Sequence, residues 1–244
     1  MKKLFIPVSL GMLCASFTIV PPVPVKSKAI IAPVTGKKAA IPPFISDAVC
    51  DVYITAGLEE KGLSELAFKQ AWKGYQFLVQ QKSIHRTGYL TVCDYSKSSR
   101  EKRLYIIDIG RKRLISHTYV AHGRNSGNEY ASSFSNKPES LQSSLGFYIT
   151  STTYDGENGL SLRLSGVDRG FNDNAFARSI VLHGAAYVDA VRVAKGTIMG
   201  RSFGCPAVSK KEAARIIHTI KNGSCLFIYY PDKYYSKTST ILNG

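Results

Sequence analysis

From Thr87 to Tyr230 the apolar residues come in short runs, each closed by Gly, Ser, Asn, Asp or a pair of basic residues. Runs of that length cannot make stable helices, and they fit strands bounded by turns. The sequence predicts strands at Tyr89–Val92, Leu104–Ile109, Leu114–Val120, Gly146–Thr152, Leu160–Leu164, Ser179–His183 and Ser224–Tyr230. Gly110-Arg111-Lys112-Arg113 reads as the turn between the second and third of these. Two stretches break the pattern. Over 58–81, Leu63, Ala67, Phe68, Ala71, Trp72, Tyr75 and Leu78 recur at helical spacing. Ser209-Lys210-Lys211-Glu212 has the form of a capping box opening a helix with Ala213, Ile216, Ile217 and Ile220 on one face, ended by Gly223. The expected class is α+β, mainly β, with an N-terminal and a C-terminal helix.

The 244 residues suit one domain with an N-terminal extension. Hydrophobic residues at 44% and charged residues at 20% exclude a wholly disordered chain, a collagen and a coiled coil. Met1-Lys2-Lys3 followed by the apolar run Leu4–Val20 has the form of a secretory signal, with Pro7 inside it and Pro21, Pro22 and Pro24 after it. Ser27-Lys28-Ala29 is a weak cleavage match, and Leu13 before Cys14 is too bulky for a lipoprotein signal. The expected organisation is a signal peptide at 1–28, a linker at 29–57, a helical segment at 58–86 and a polar, fraying tail at 236–244. No stable membrane insertion is expected once the signal is cleaved, which makes the periplasm or cell envelope the expected compartment.

The net charge is +15, of which four lysines lie in residues 1–28. Such a surface favours a polyanion: a wall polymer, anionic lipid or nucleic acid. The sequence holds no aromatic-basic motif of a known nucleic-acid module, so no nucleic-acid partner is expected. Outside the signal, Cys50, Cys93, Cys205 and Cys225 form an even set that allows three disulfide pairings in an exported protein.

Three Gly-flanked polar loops follow strand-like runs: 121–127 (Ala-His-Gly-Arg-Asn-Ser-Gly), 183–186 (His-Gly-Ala-Ala) and 201–206 (Arg-Ser-Phe-Gly-Cys-Pro). Loops on a rigid sheet are where catalytic groups tend to sit. A thiol near its ordinary pKa of ~8.5 is mostly neutral, and a neighbouring imidazole makes it a nucleophile. That singles out Cys205 with His183 as base, a backbone carbonyl such as that of Gly184 as orienter, and the N–H groups of Gly204 and Cys205 as an oxyanion hole. Three alternatives stand beside this: a buried inert cysteine, a Cys205–Cys225 disulfide, and a metal held by His122, His183 and Cys205. Arg124, Asn125 and Arg201 are candidates for carboxylate binding. His122, Ser143, Ser144 and Tyr154 are candidates for the substrate groove, Tyr154 on a mobile flap. His85, His117 and His218 read as structural or exposed.

The segment from about Tyr89 to Tyr230 resembles the murein L,D-transpeptidase catalytic domain family. The resemblance runs in order through Asp94-Tyr95-Ser96, 103–108 (Arg-Leu-Tyr-Ile-Ile-Asp), 119–127, Phe134-Ser135-Asn136, 143–148 (Ser-Ser-Leu-Gly-Phe-Tyr) and Ser161-Leu162-Arg163-Leu164. It ends with 181–185 (Val-Leu-His-Gly-Ala) and 200–209 (Gly-Arg-Ser-Phe-Gly-Cys-Pro-Ala-Val-Ser). It implies a β-sandwich catalytic domain at 87–235 acting on peptidoglycan stem peptides without metal or organic cofactor. Cys205 would be the acyl-accepting nucleophile, His183 its base, the Gly184 carbonyl its orienter and Ser202 the small hydroxyl residue near the Gly-Cys pair. The well-known members carry a second His before Gly-Cys, where this chain has Phe203, and often an Asn two residues after the Cys, where it has Ala207. The implied outcomes are a 3→3 cross-link, exchange with a free D-amino acid, or hydrolysis as an L,D-carboxypeptidase; a non-catalytic wall-binding module is the reading of another class.

Overall fold

The computed structural model describes residues 47–244. The expected signal, its cleavage site, Cys14 and the first part of the linker lie outside the described residues, as does the side chain of Cys50. The helices are α1 (Asp47–Thr55), α2 (Glu65–Gln80), α3 (Ala190–Ala194), α4 (Lys210–Ile220), α5 (Lys233–Thr238) and α6 (Thr240–Asn243). The strands are β1 (Tyr89–Asp94), β2 (Leu104–Asp108), β3 (Arg113–Thr118), β4 (Gly146–Gly156), β5 (Gly159–Gly166), β6 (Val181–Ala185), β7 (Ala207–Ser209) and β8 (Cys225–Tyr229).

Strands β2, β6 and β8 are buried along their whole length, and β1 nearly so. An unbroken apolar run is what a strand covered on both faces requires. β5 lies half in water, with Leu162 and Leu164 buried and Arg163 and Ser165 exposed. All eight strands join one sheet in the order β3-β2-β1-β8-β4-β5-β6-β7. Pairing is antiparallel except for β1 with β8 and β6 with β7.

The sheet curls until its ends meet. Ala121, beyond β3, exchanges backbone hydrogen bonds with Ala207 of β7, Ala121 N–H to Ala207 O at 2.8 Å and Ala207 N–H to Ala121 O at 3.3 Å. Gly123 bridges to Ser202 in parallel fashion, through Ser202 N–H to His122 O and Arg124 N–H to Ser202 O. The architecture is therefore a mostly-β, nearly closed sheet with a few helices against it.

Helix α2 begins later than its apolar period predicts. Gly62 holds φ at +74°, a left-handed conformation that ends the preceding turn. Ser64 then caps the helix, its Oγ accepting from Ala67 N–H at 3.1 Å. Ala67, Phe68, Ala71, Trp72, Tyr75 and Leu78 form the buried face. Gly74 lets that face close on the sheet, since a Cβ there would come within 2.0 Å of the Phe147 ring. Helix α1 occupies residues expected to be linker, with Val52 and Tyr53 buried and Tyr53 Oη donating to Leu63 O at 2.6 Å.

At α4 the cap departs from the capping-box expectation. Ser209 is the N-cap but makes no bond to a backbone N–H; its Oγ donates to Glu212 Oε2 at 3.2 Å. Glu212 is drawn outward because it also accepts from Thr118 Oγ1 of β3. The apolar face of Ala213, Ile216, Ile217 and Ile220 is buried as its period predicts.

The expected fraying tail is packed. Tyr235, Ile241 and Leu242 are buried, and α6 lies on α2. Asp168 fastens the segment: it is fully buried, and it accepts from Tyr235 Oη at 2.7 Å, Ser239 Oγ at 2.6 Å and Phe147 N–H at 2.9 Å. Burial raises its pKa, opposed by those hydrogen bonds. Removing the carboxyl leaves three buried donors without an acceptor. Asp168→Ala is expected to cost about 2–4 kcal/mol in urea unfolding; a loss below about 1 kcal/mol would show that the tail contributes little.

Candidate active site

His183 lies on β6, only 5% exposed, in register with Ala207 of β7. Its Nδ1 is 3.1 Å from the carbonyl oxygen of Gly184. A carbonyl can only accept, so that bond puts the proton on Nδ1 and leaves the Nε2 lone pair free. Burial lowers the pKa of His183, partly offset by the Gly184 carbonyl. The ring is therefore a neutral base at pH 7. Gly184 also gives α4 its close approach, since a Cβ there would stand 2.9 Å from Ala213 Cβ.

Cys205 lies in the turn two residues before β7, and the strand it leads into begins at Ala207, the partner of His183. Its Sγ accepts from Val181 N–H at 3.4 Å and donates to Ser179 O at 3.7 Å. Burial raises the thiol pKa, opposed by the Val181 N–H and by the charge of Arg178. The site thus holds a neutral imidazole on β6 and a neutral thiol on the turn that leads into β7. Among the described residues no hydrogen bond joins the two side chains. Cys93, Cys205 and Cys225 are all free, so the Cys205–Cys225 pairing does not occur.

The turn that carries Cys205 is held from several sides. Ser202 is buried; its Oγ donates to Cys205 O at 2.6 Å and accepts from Gly204 N–H at 3.1 Å. The Gly204 N–H is thereby engaged, which corrects its expected place in an oxyanion hole; the Cys205 N–H donates to no carbonyl among the described residues. Gly204 has φ +129°, and a Cβ there would lie 2.8 Å from Gln142 O. Gly204→Ala is expected to displace Cys205 and lower any Cys205-dependent rate by about 10²-fold, read in a product assay beside an unchanged far-UV spectrum.

Three residues expected in the substrate groove prove to be structural. His122 is fully buried, with Nδ1 2.7 Å from Arg103 Nη2 and Nε2 3.4 Å from Gly127 O. Arginine has no acceptor, so Nδ1 must be unprotonated. Burial and the Arg103 charge hold the His122 pKa down at about 3, so it is a neutral loop anchor and no substitute for the His replaced by Phe203. Ser143 is buried and bonds Gly123 N–H and Gly204 O, each at 3.0 Å. Ser144 is buried and donates to Ser135 O at 2.7 Å. Both order loops around the turn, and neither faces solvent.

Tyr154 lies on strand β4, in the hairpin that β4 forms with β5. It opposes Ser161, which opposes His183, so the three share one face of the sheet. The Arg163 guanidinium lies 4.4 Å from its ring centre. Arg124, Asn125 and Arg201 are exposed, and Asn125 Nδ2 is tied to Ser140 O at 3.0 Å. Phe203 is 69% exposed beside Cys205.

Arg178 was not visible from the sequence. Its guanidinium donates to Ser135 O at 2.7 Å, Gln142 O at 2.6 Å, Ser140 Oγ at 3.1 Å and Ser144 Oγ. It thus ties the 135–144 loop to the thiol's surroundings, and its charge is the one that favours the thiolate. The sequence signal was slight: a basic residue one position before the predicted strand. Among the described residues no group of three or more His, Cys, Asp or Glu comes together to hold a metal, so His122, His183 and Cys205 do not form one.

A nearly closed mostly-β sheet with Cys205, His183 and their glycine turns gathered at one seam defines the class. The chain belongs to the L,D-transpeptidase catalytic domain family, whose model matches residues 59–229. Solved structures similar to it include an L,D-transpeptidase from Mycobacterium smegmatis, at 13% identity and TM-score 0.36, covering 59% of each chain. L,D-transpeptidase 1 of Mycobacterium tuberculosis is 12% identical, TM-score 0.33, over 59% of this chain and 62% of that one. The L,D-transpeptidase from Xylanimonas cellulosilytica is 15% identical, TM-score 0.32, over 73% and 92%. The chain spans about three fifths of the length of the mycobacterial structures. No curated protein matches it.

Proposed function

We propose that the chain is an exported cysteine L,D-transpeptidase acting on the tetrapeptide stems of peptidoglycan. The observation that carries this is the placement of His183, its Nδ1 on the Gly184 carbonyl, on the strand paired with the one that Cys205 leads into. In the first step the Cys205 thiol gives its proton to His183 Nε2 and the sulfur attacks the carbonyl of the third stem residue. The C–N bond to the terminal D-alanine breaks, and His183 returns the proton to the departing amine. A thioester remains. In the second step an amine attacks it, His183 takes the proton of that amine, and the thiol is regenerated. The Cys205 N–H is the donor suited to the oxyanion, and such a donor is worth on the order of 10²–10³ in rate.

An amine of a second stem gives a 3→3 cross-link, a free D-amino acid gives exchange, and water gives an L,D-carboxypeptidase. The basic, apolar first 28 residues support export, with the periplasm or cell envelope as the compartment. The +15 charge suits an anionic wall. The test is incubation of the chain and its Cys205→Ala variant with disaccharide-tetrapeptide, followed by mass spectrometry. A dimer lacking one D-alanine, absent with the variant, is expected. Tripeptide alone makes water the acceptor. No Cys205-dependent product overturns the catalytic reading in favour of a wall-binding module.

A further inference from the structure

Beside the Cys205 turn lies a cavity of about 430 Å³ into which three arginines from three segments converge. Arg124 comes from the loop after β3, Arg192 from α3 and Arg201 from the start of the Cys205 turn. Their bonds are few: Arg201 Nη1 donates to Gly127 O at 3.1 Å and to Arg124 O at 3.5 Å, and Arg192 Nε donates to Ile198 O at 3.4 Å. The Arg124 guanidinium lies 5.8 Å from the Phe203 ring centre. Among the described residues no carboxylate pairs with any of the three. Asp189, the acid nearest in sequence to Arg192, is engaged in capping α3, accepting from Val191 N–H at 3.0 Å.

Three like charges in one concavity repel one another, and an anion there removes that repulsion. The planar fork of arginine matches a carboxylate. The rest of the lining is apolar: Ile198, Met199 and the exposed ring of Phe203. Cations over an apolar wall suit an aliphatic chain that ends in a free carboxylate.

We infer that this cavity is a carboxylate subsite for the acyl acceptor, selecting stems whose diamino acid carries a free carboxylate over stems in which it is amidated. The inference rests on the acyl-transfer function proposed above and adds to it the acceptor's chemical class. Placement argues for the acceptor. The Cys205 sulfur contacts Val181 and Ser179 on the β6 side, whereas Phe203 and the arginines flank the turn beside the cavity. The cavity is lined by Arg201 and Phe203 of the turn that carries Cys205, so a ligand held there lies beside that turn. The same charges disfavour the ammonium form of an amine next to that carboxylate, which leaves more of it as the free base that attacks a thioester.

The test measures binding by calorimetry to the Cys205→Ala chain, which holds ligand without turning it over. The probes are a disaccharide-tripeptide with its diamino-acid carboxylate free, the same compound amidated there, free D-alanine, and inorganic phosphate. The free acid is expected to bind at least about tenfold more tightly than the amide, and Arg192→Gln to remove about tenfold of that affinity. D-Alanine displacing the peptide at equal concentration supports the carboxylate site with a free amino acid as its source. Equal binding of acid and amide overturns the inference, as does no effect of Arg192→Gln, or phosphate displacing the peptide at equal concentration. A wild-type chain that prefers the acid yet forms no Cys205-dependent product would retain the subsite and refute the catalytic proposal.

Discussion

His183→Gln is expected to lower Cys205-dependent product formation by about 10²–10⁴-fold, the range for losing a positioned general base. Its pH profile carries the sharper test. In the proposed mechanism attack needs His183 neutral, and burial lowers its pKa below the ordinary value. The acid limb of kcat/KM should therefore lie below the ordinary histidine value of ~6.5. Burial raises the Cys205 thiol, so its alkylation by iodoacetamide should climb only above the ordinary thiol range. In the variant the acid limb should vanish while the thiol titration stays. An acid limb that persists in His183→Gln would assign the base to another residue.

The largest stability effect is expected at Arg103, the largest fully buried side chain of the described residues. Its Nε and Nη2 donate to Val120 O at 3.0 and 2.9 Å, its Nη1 to Lys97 O at 2.8 Å, and its Nη2 also meets His122. The Tyr95 ring lies 4.8 Å from the guanidinium carbon. Burial lowers the Arg103 pKa to about 10, which still leaves it charged at pH 7. Arg103→Met keeps the aliphatic volume and leaves two buried carbonyls and His122 without their donor. The expected cost is about 3–5 kcal/mol in urea unfolding, comparable to breaking a buried ion pair. Arg103→Lys should recover only part, because one ammonium cannot span donors directed at Lys97, Val120 and His122 together. A loss under about 1 kcal/mol for Arg103→Met would mean that water replaces the guanidinium.

These two residues mark what a sequence can and cannot disclose. The strands were legible because their burial is written locally: Leu104–Asp108 and Cys225–Tyr229 are apolar runs bounded by turns, and both are fully buried. Helix α4 was legible from its 3.6-residue period. His183 and Cys205 stood out because each adjoins a glycine at a predicted strand or turn. The polar residues around them were misassigned for one reason. Whether Ser143 or His122 faces solvent depends on partners distant in the chain, here Gly204 and Arg103. The tail was misassigned likewise, since Ile241 and Leu242 lack a period and are buried only because Asp168 and α2 receive them.

The seam between Ala121 and Ala207 has a consequence for how activity arises. It is the contact that joins the two ends of the sheet, and the Cys205 turn is stitched across it through Ser202 and Gly123. The pairing of β1 with β8 spans a longer stretch of chain, but the seam alone needs both ends of the sheet in place before it can close. A refolding chain would therefore gain the body of its sheet before the Cys205 turn is held in place. In refolding from urea, β-sheet circular dichroism should return first and rapid Cys205 turnover last. The order of assembly would itself act as a delay, leaving the Cys205 thiol unplaced until the rest of the domain has closed around it.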